Sequence, residues 1–276
     1  MKKSHYKYHL KVLTFILMLL ISFSCRKKGC TDPMALNYNE KANYNDGTCE
    51  YESFSKFDIA VKTYHLFNSN SFYLDSSYFD DFGNKIKFSR ASFYLGNPSF
   101  KNINGTIDTS TSDYVLINPN DSIYSLSSLN NIDFSSLNLR IGVDSITNHT
   151  DPGNKPNNNS LSYQTPSMHW QMGIDPLNWS YLFIVIEGQV DIDGNNNFDP
   201  GENFVFHIGG DEFSRVINDI PFTLSNDSTF ISIDVNWESI INNIDLSVDN
   251  FTHTMDNIPL ATDISNNAID LISEHL

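Results

Sequence analysis

The sequence has few basic residues: 17 Lys and Arg stand against 33 Asp and Glu, which gives a formal charge of −16. Nucleic acid and anionic lipid surfaces attract basic proteins, so no nucleic-acid partner is expected for this chain. Charged residues make up only 18% of the total, and polarity comes mainly from 34 Asn and 33 Ser. With 40% hydrophobic residues the chain can still form a sizeable core, which argues against disorder.

The sequence also lacks an apolar run long enough to span a bilayer as a helix. The longest covers residues 12–23, follows four Lys and ends next to Ser24-Cys25. This pattern resembles a bacterial lipoprotein signal, so residues 1–24 are predicted to be a signal peptide and Cys25 the lipidated residue. An ordinary signal peptide and an N-terminal anchor are the alternatives. Four Lys and no acid leave with the segment, so 13 basic and 33 acidic residues remain, a charge of −20.

Residues 25–53 form a short segment rich in turn-forming residues. Cys30 and Cys49 enclose a loop of Asp, Asn and Gly. An exported chain can form disulfides, and closing about 20 residues contributes about 3 kcal/mol to a segment too short for its own core. The segment resembles the C-T-D-P…D-G-T-C motif of Bacteroidetes surface proteins, and a Cys30–Cys49 disulfide is expected. Four side chains in it could bind Ca²⁺, although capping of their own turns is the favoured interpretation: Asp32, Asn37, Asn39 and Asp46.

Residues 54–276 are predicted to form one all-β domain. From Phe57 to Phe67, alternate residues share one face, as in a strand. Further strand candidates, separated by turn-forming clusters, are residues 85–95, 114–117, 137–143, 181–190, 203–208 and 229–237. Short strands with regular turns indicate an antiparallel β-sandwich or barrel. One short C-terminal helix is expected, with Thr262 as its N-cap and a buried stripe formed by Ile264, Ala268, Leu271 and Ile272.

The sequence shows none of the short motifs that mark common enzymes. It contains no His-Glu-x-x-His, no Gly-x-Ser-x-Gly and no Gly-rich phosphate loop. If Cys25 carries lipid and the other two Cys pair, no thiol is free for catalysis. No carboxylates are paired at a spacing that suits acid–base catalysis. The chain is therefore predicted not to be an enzyme.

Six His remain once the signal segment is removed. His275 lies at the chain end and is expected to be solvated, while the other five are dispersed. Neutral imidazoles from different strands can converge on Cu or Zn, although a single His is more often a surface or core residue. Two of them have a Met neighbour whose thioether would suit copper, in Met168-His169-Trp170 and His253-Thr254-Met255.

Residues 191–202, DIDGNNNFDPGE, follow the ligand spacing of an EF-hand calcium loop. Oxygen ligands fall at positions 1, 3, 5, 7, 9 and 12, namely Asp191, Asp193, Asn195, Asn197 (through its carbonyl), Asp199 and Glu202. Position 6, usually Gly in a left-handed conformation, is Asn196, the next most tolerant residue. Strands, not helices, are predicted on both sides. A structural Ca²⁺ site is favoured over the alternative, an acidic hairpin tip without a metal.

Six segments occur in an order that a known family shares. They are His65 in its long strand, residues 88–95 (FSRASFYL), residues 142–145 (GVDS) with Asn148, residues 168–170 (MHW) followed by 181–184 (YLFI) and Glu187-Gly188, residues 206–210 (FHIGG), and residues 253–255 (HTM) with 259–261 (PLA), Ile264 and Asn266-Asn267. Together they resemble the MbnP-like family, the methanobactin-associated periplasmic copper-binding proteins and their Bacteroidetes lipoprotein relatives. The resemblance covers about residues 54 to 275.

The resemblance implies an all-β periplasmic domain that holds one copper ion through His. The ligand candidates that correspond to the family motifs are His65, His169, His207 and His253. Family members carry a Trp oxidised to kynurenine near the metal, and Trp170 is the matching residue. The resemblance also implies a di-haem peroxidase-like partner, with a TonB-dependent receptor as a further possible partner. The family's second Trp is Met172 here, and residues 173–179 are an insertion.

Two functions follow from these expectations. The leading one is a lipid-anchored copper-binding protein of the cell envelope, facing the periplasm or displayed on the outer-membrane surface. The alternative is a Ca²⁺-stabilised β-sandwich surface module that binds glycan or protein without a transition metal. The disulfide segment, the Asn- and Ser-rich composition and the acidic loop fit both.

Overall fold

The computed structural model describes residues 26–50, 57–108, 114–129, 133–171, 173–222 and 230–275. The chain divides into two compact units, one ending at Ser55 and the other beginning at Lys56. The predicted signal peptide and Cys25 lie outside the described residues, as does Met172. None of the described helices is long and apolar enough to cross a membrane.

The first unit is a small disulfide-closed module. Its strands β1 (Lys28–Gly29) and β2 (Tyr44–Asn45) pair in parallel, and Cys30 forms the expected disulfide with Cys49. Asp32 accepts a hydrogen bond from the Met34 amide, and Asp46 accepts bonds from Thr48. These side chains cap their own turns, in line with the favoured interpretation of this loop.

The second unit is built mostly from β-strands. In chain order they are β3 (Phe57–Phe67), β4 (Asn70–Ser71), β5 (Ser77–Phe79), β6 (Lys85–Asn102), β7 (Ile107–Asp108), β8 (Tyr114–Ile117), β9 (Ile123–Leu129), β10 (Phe134–Ile141), β11 (His169–Gln171), β12 (Trp179–Val190), β13 (Asn203–Gly209), β14 (Arg215–Pro221), β15 (Phe230–Asn236), β16 (Phe251–Thr252) and β17 (Ile272–Glu274).

Two α-helices and five 3₁₀ helices complete the unit's described elements. The α-helices are α1 (Ser145–Asn148) and α2 (Ile258–Asn267), and the 3₁₀ helices cover Pro152–Asn154, Pro176–Asn178, Asp211–Phe213, Trp237–Ile241 and Ala268–Leu271. The predicted helix start at Thr262 is wrong, because Asn257 accepts from the Leu260 amide and is the N-cap. Thr262 lies inside the helix and donates to the Ile258 carbonyl.

Two curled sheets form the predicted sandwich-like β-fold. The larger sheet has the strand order β14-β10-β6-β12-β13-β16, with shorter strands added to β6 and β12, and the smaller has the order β17-β15-β3-β4, with β9 also paired to β3. Most pairs are antiparallel, as expected. Two pairs in this unit, β3–β15 and β13–β16, are parallel and join segments far apart in the sequence.

The core lies between the buried faces of these sheets. Strand β3 shows the predicted alternation, since Ile59, Val61, Thr63 and Phe67 on one face are all buried. Strand β12 is buried almost continuously and lies in the interior of its sheet, paired with β6 on one edge and β13 on the other. Its β-branched and aromatic residues suit such a central position. The largest buried side chain is Trp237, which follows β15.

Candidate metal centre

The site is built on the end of β13 that pairs with β16. The parallel register places Val205 beside Phe251 and Phe206 beside Thr252, so the next residues in each segment, His207 and His253, come side by side. Their ring centroids are 4.9 Å apart and the ring planes differ by 33°. The sequence could name both His as candidates, but only the strand pairing shows that they are neighbours.

Thr254 fixes the segment that carries His253. Its hydroxyl donates to the His207 carbonyl at 2.9 Å and accepts from the Gly209 amide at 3.0 Å. The residue is only 2% exposed and has a positive φ of 59°, a conformation costly for a β-branched residue. The two buried hydrogen bonds offset that cost and hold His253 against β13.

A carboxylate contacts each imidazole of the pair. His207 Nε2 lies 2.9 Å from Glu187 Oε1, and His253 Nδ1 lies 3.4 Å from Asp256 Oδ2. Burial is the largest influence on His207 and lowers its pKa, while Glu187 opposes this. Burial alone would raise the pKa of Glu187, but the bonds donated by His207 and Arg90 outweigh it and hold the pKa below its usual value.

Arg90 connects this pair to the segment before β11. It lies directly across from Glu187 in the β6–β12 register, and its guanidinium donates to Glu187 Oε1 at 2.9 Å. The same group donates to the Ser167 carbonyl at 2.9 Å and to Met168 Sδ at 3.1 Å. One side chain therefore contacts the strand beside His207 and the segment that leads into His169 and Trp170.

A cavity of about 680 Å³ lies next to the histidine pair. It is lined by side chains that include His149, His169, Trp170, Trp179, His253 and Met255. The Trp170 ring is 6.5 Å from that of His253, centroid to centroid. The cavity thus brings two of the sequence-predicted ligand residues and the predicted modifiable Trp together.

His169 is held neutral in the wall of this cavity. Its ring packs edge-on against Tyr181 at 4.8 Å, and its Nε2 atom is buried without a hydrogen-bond partner. Burial lowers the pKa of His169 to about 4. A neutral imidazole with a free ring nitrogen is what a metal ligand requires.

Gly209 allows Trp170 to approach the sheet. A Cβ atom at this position would lie 2.5 Å from the Tyr181 carbonyl and 3.3 Å from the Trp170 ring. The first distance is too short for any side chain, so only Gly fits. Gly209 of the FHIGG segment therefore has a packing role beside the histidine pair.

Asn148 joins the GVDS segment to the same region. It is fully buried, accepts from the Tyr181 amide at 2.8 Å, and donates to Asp211 at 2.8 Å. Asp211 also contacts His149 Nε2 at 3.2 Å, and His149 Nδ1 lies 2.8 Å from the Trp179 carbonyl. Sequence reasoning left His149 without a role, and the structure places it in the cavity wall.

His65 lies on the smaller sheet and is engaged through both ring nitrogens. Its Nδ1 accepts from Trp237 Nε1 at 3.1 Å, and its Nε2 is 3.1 Å from the Asp121 carbonyl. Burial lowers its pKa. The structure thus brings His169, His207 and His253 into one region and gives His65 a separate hydrogen-bonded environment.

The predicted calcium loop connects β12 to β13. The potential ligand oxygens of Asp191, Asp193 and Glu202 lie within 4.8 Å of one another, and Asp191 is 5% exposed. Asn196 has a φ of 68°, the left-handed conformation expected at position 6. The carboxylates accept hydrogen bonds from loop amides, among them those of Asn195, Asn196 and Asp199. Asn197 and Asp199 lie in the same loop, and the Asp199 carboxylate accepts a hydrogen bond from the Asn195 side-chain amide.

Sequence reasoning missed the residues that support the pair. Glu187 belongs to the Glu187-Gly188 segment and Arg90 to the FSRASFYL segment, but the sequence indicates no role for either side chain. The signal for Asp256 was its position three residues after His253. For Glu187 and Arg90 no local signal exists, because their contacts depend on the pairing of β6, β12 and β13.

A protein-family model matches most of the chain. Residues 56–258 match a protein-family model described as MbnP. Among solved structures, MbnP from Methylosinus trichosporium is similar at 10% sequence identity and a TM-score of 0.49, over 70% of this chain and 80% of that one. No curated protein matches this sequence significantly.

Proposed function

Since this chain belongs to the MbnP family, we propose that it binds a copper ion and is not an enzyme. The observation that carries the proposal is the placement of His207 beside His253, with ring centroids 4.9 Å apart. Imidazole is a favoured ligand of copper, and two neighbouring rings from separate segments can hold one ion.

The chemistry of the surrounding side chains fits copper. Both histidines of the pair have one nitrogen directed at a carboxylate, which leaves the other nitrogen for a metal. His169, whose buried Nε2 has no hydrogen-bond partner, belongs to the wall of the adjoining cavity, and Met255 adds a thioether to the same lining. His65 would have to give up a bond to Trp237 or Asp121 before it could join the ligand set.

Copper titration of the soluble chain tests the proposal. Wild type is expected to bind one equivalent with submicromolar affinity, and His207→Ala or His253→Ala to weaken binding by more than about tenfold, or about 1.4 kcal/mol. His275→Gln is the matched control, because His275 pairs with Asp234 and stacks on Tyr64 in the smaller sheet. Unchanged binding in both Ala variants would refute the proposal. A loss of affinity in His65→Gln would add His65 to the ligands.

The proposal extends to Trp170 and to partners. Trp170 lies beside His253 and would be the residue oxidised to kynurenine by a di-haem peroxidase-like partner. Intact mass of the chain isolated with and without such a partner tests this, with Trp179 in the same cavity as the competing residue. A TonB-dependent receptor is the second proposed partner.

A structural Ca²⁺ is proposed in the loop of residues 191–202. Support comes from the closeness of three carboxylates and from the left-handed backbone at Asn196. The ion would offset part of the negative charge of the loop. The competing arrangement is a hairpin tip in which the carboxylates bind only the amides of the loop.

The proposed location is the cell envelope. The apolar run of residues 12–23, the Ser24-Cys25 sequence and membership in the MbnP family support export and lipid anchoring at Cys25. Cys30 and Cys49 form a disulfide, which suits an oxidising compartment. Mass spectrometry of the N-terminal peptide from membranes, compared with Cys25→Ser, tests the anchor.

A further inference from the structure

The Glu187 carboxylate contacts two hydrogen-bond donors, the Arg90 guanidinium and the His207 imidazole. Its Oε1 atom is 2.9 Å from Arg90 NH1 and 2.9 Å from His207 Nε2. An ionised carboxylate accepts hydrogen bonds and donates none, so the proton of a neutral His207 ring must reside on Nε2. The lone pair of that ring is then on Nδ1.

The position of Glu187 is itself fixed. Arg90 is its direct cross-strand partner in the β6–β12 ladder, and the Arg90 side chain is only 16% exposed. The second guanidinium nitrogen is bound to the Ser167 carbonyl and to Met168 Sδ. Both terminal nitrogens of the Arg90 guanidinium are therefore hydrogen-bonded. The Glu187 carboxylate cannot turn away from His207 without breaking its charged hydrogen bond to Arg90.

The second imidazole has a weaker version of the same arrangement. His253 Nδ1 faces Asp256 at 3.4 Å, and the Asp256 carboxylate is 53% exposed. A proton on Nδ1 leaves the lone pair of His253 on Nε2. The two rings therefore differ in the nitrogen that is free, and the Glu187 contact is the shorter and more buried of the two.

We infer that Glu187, held by Arg90, is a positioning residue that fixes the Nε2–H tautomer of His207. The Nδ1 atom of His207 is then the nitrogen that binds the metal. This rests on the copper site proposed above but adds a residue and an atom to it. Groups that orient a metal-binding His typically change metal affinity 10- to 100-fold when removed. Arg90 acts on the metal only through Glu187.

The first experiment needs no metal. Two-bond ¹H–¹⁵N correlation spectra of the ¹⁵N-His-labelled apo chain report the tautomer of each ring. Wild type and Glu187→Gln, which keeps an acceptor oxygen, are expected to show His207 as Nε2–H. Glu187→Leu, which removes the acceptor, is expected to lose this preference. A wild-type His207 with its proton on Nδ1 overturns the inference, even if the Leu variant does not fold.

The second experiment measures copper affinity by competition with a coloured chelator. The copper affinity of Glu187→Leu is expected to be 10- to 100-fold lower than that of wild type. The decrease for Glu187→Gln should be less than half as large on a logarithmic scale. Lys101→Met is the control, because it breaks a more exposed ion pair of the same sheet, with Asp219 of β14, away from the histidines. Equal affinity in wild type and the Leu variant overturns the inference. Absence of copper binding in wild type defeats the proposed function instead, while the tautomer result still decides the role of Glu187.

Discussion

His207 and His253 lie side by side because β13 and β16 pair in parallel, with ring centroids 4.9 Å apart. Metal binding requires neutral imidazoles, and burial lowers the pKa of His207 below 6.5. His207 therefore stays neutral to a lower pH than a free imidazole. We expect copper affinity to be constant above pH 7 and to fall only at a pH well under 6.5, as the pH approaches the lowered pKa of His207. Chelator competition between pH 5 and 8 measures it, and an affinity that rises on acidification would contradict imidazole ligation.

The bond between Trp237 and His65 predicts a pH dependence of stability in the metal-free protein. Burial lowers the pKa of folded His65 below its ordinary 6.5, so the unfolded chain binds more protons below that pH. Protonation of Nδ1 would also break the bond that Trp237 donates. The free energy of unfolding should therefore fall as pH decreases from 6.5 toward the folded pKa.

Denaturant unfolding at pH 7.5 and 5.5 measures this effect. His65→Gln cannot titrate in this range, and its amide can accept from Trp237, so the difference between the two pH values should shrink. His275→Gln supplies the control at a half-buried histidine of the same sheet that is paired with Asp234. An equally large pH difference in His65→Gln would show that other groups cause the acid sensitivity.

Gly209→Ala should destabilise the fold by about 1–3 kcal/mol, because the new Cβ overlaps the Tyr181 carbonyl and forces β12 or Trp170 to move. Equilibrium unfolding gives the energy, and Trp fluorescence reports the displacement. Gly173→Ala is the comparison, since its Cβ would meet nothing within 4 Å and only its φ of +76° adds strain. A Gly209→Ala protein as stable as wild type would remove the proposed packing role.

Calcium should raise the melting temperature if residues 191–202 bind it. A ligand at 100 times its Kd adds about 2.7 kcal/mol to the folded state. Asp191→Asn, which changes the most buried carboxylate of the three, should abolish the response to calcium and to chelator. Asp249→Asn, an exposed acid outside the loop, should not. A wild-type melting temperature insensitive to both would leave the loop as a metal-free hairpin tip.

Local patterns in the sequence predicted local structure well. Alternation identified β3 and its buried face, and the Asn196 position fitted its left-handed backbone. The helix start was misplaced because Asn257 followed by Ile258-Pro259 is an earlier start signal than Thr262. Strand β6 extends to Asn102, beyond the predicted end at Leu95, because pairing with β10 resumes at Ser99 after a register irregularity at Asn97 and Pro98.

Relationships between distant segments were beyond local patterns. The resemblance named His65, His169, His207 and His253 together, yet nothing in their spacing shows that β13 runs parallel to β16 or that His65 meets Trp237, 172 residues away. His275 was expected to be solvated, but it stacks on Tyr64 at 3.6 Å and contacts Asp234 at 2.6 Å. Such contacts arise from strand order, which composition and periodicity do not encode.

Arg90 and the histidine pair connect segments that are far apart in the sequence. The Arg90 guanidinium bonds to β12 and to the segment before β11, and the Glu187 it holds contacts a histidine of β13. His253 joins only when the C-terminal part of the chain adds β16 to that ladder. A nascent or truncated chain therefore presents scattered imidazoles and no paired site. The proposed copper site is in this sense a property of the completed sheet, because it requires β16 to be paired with β13.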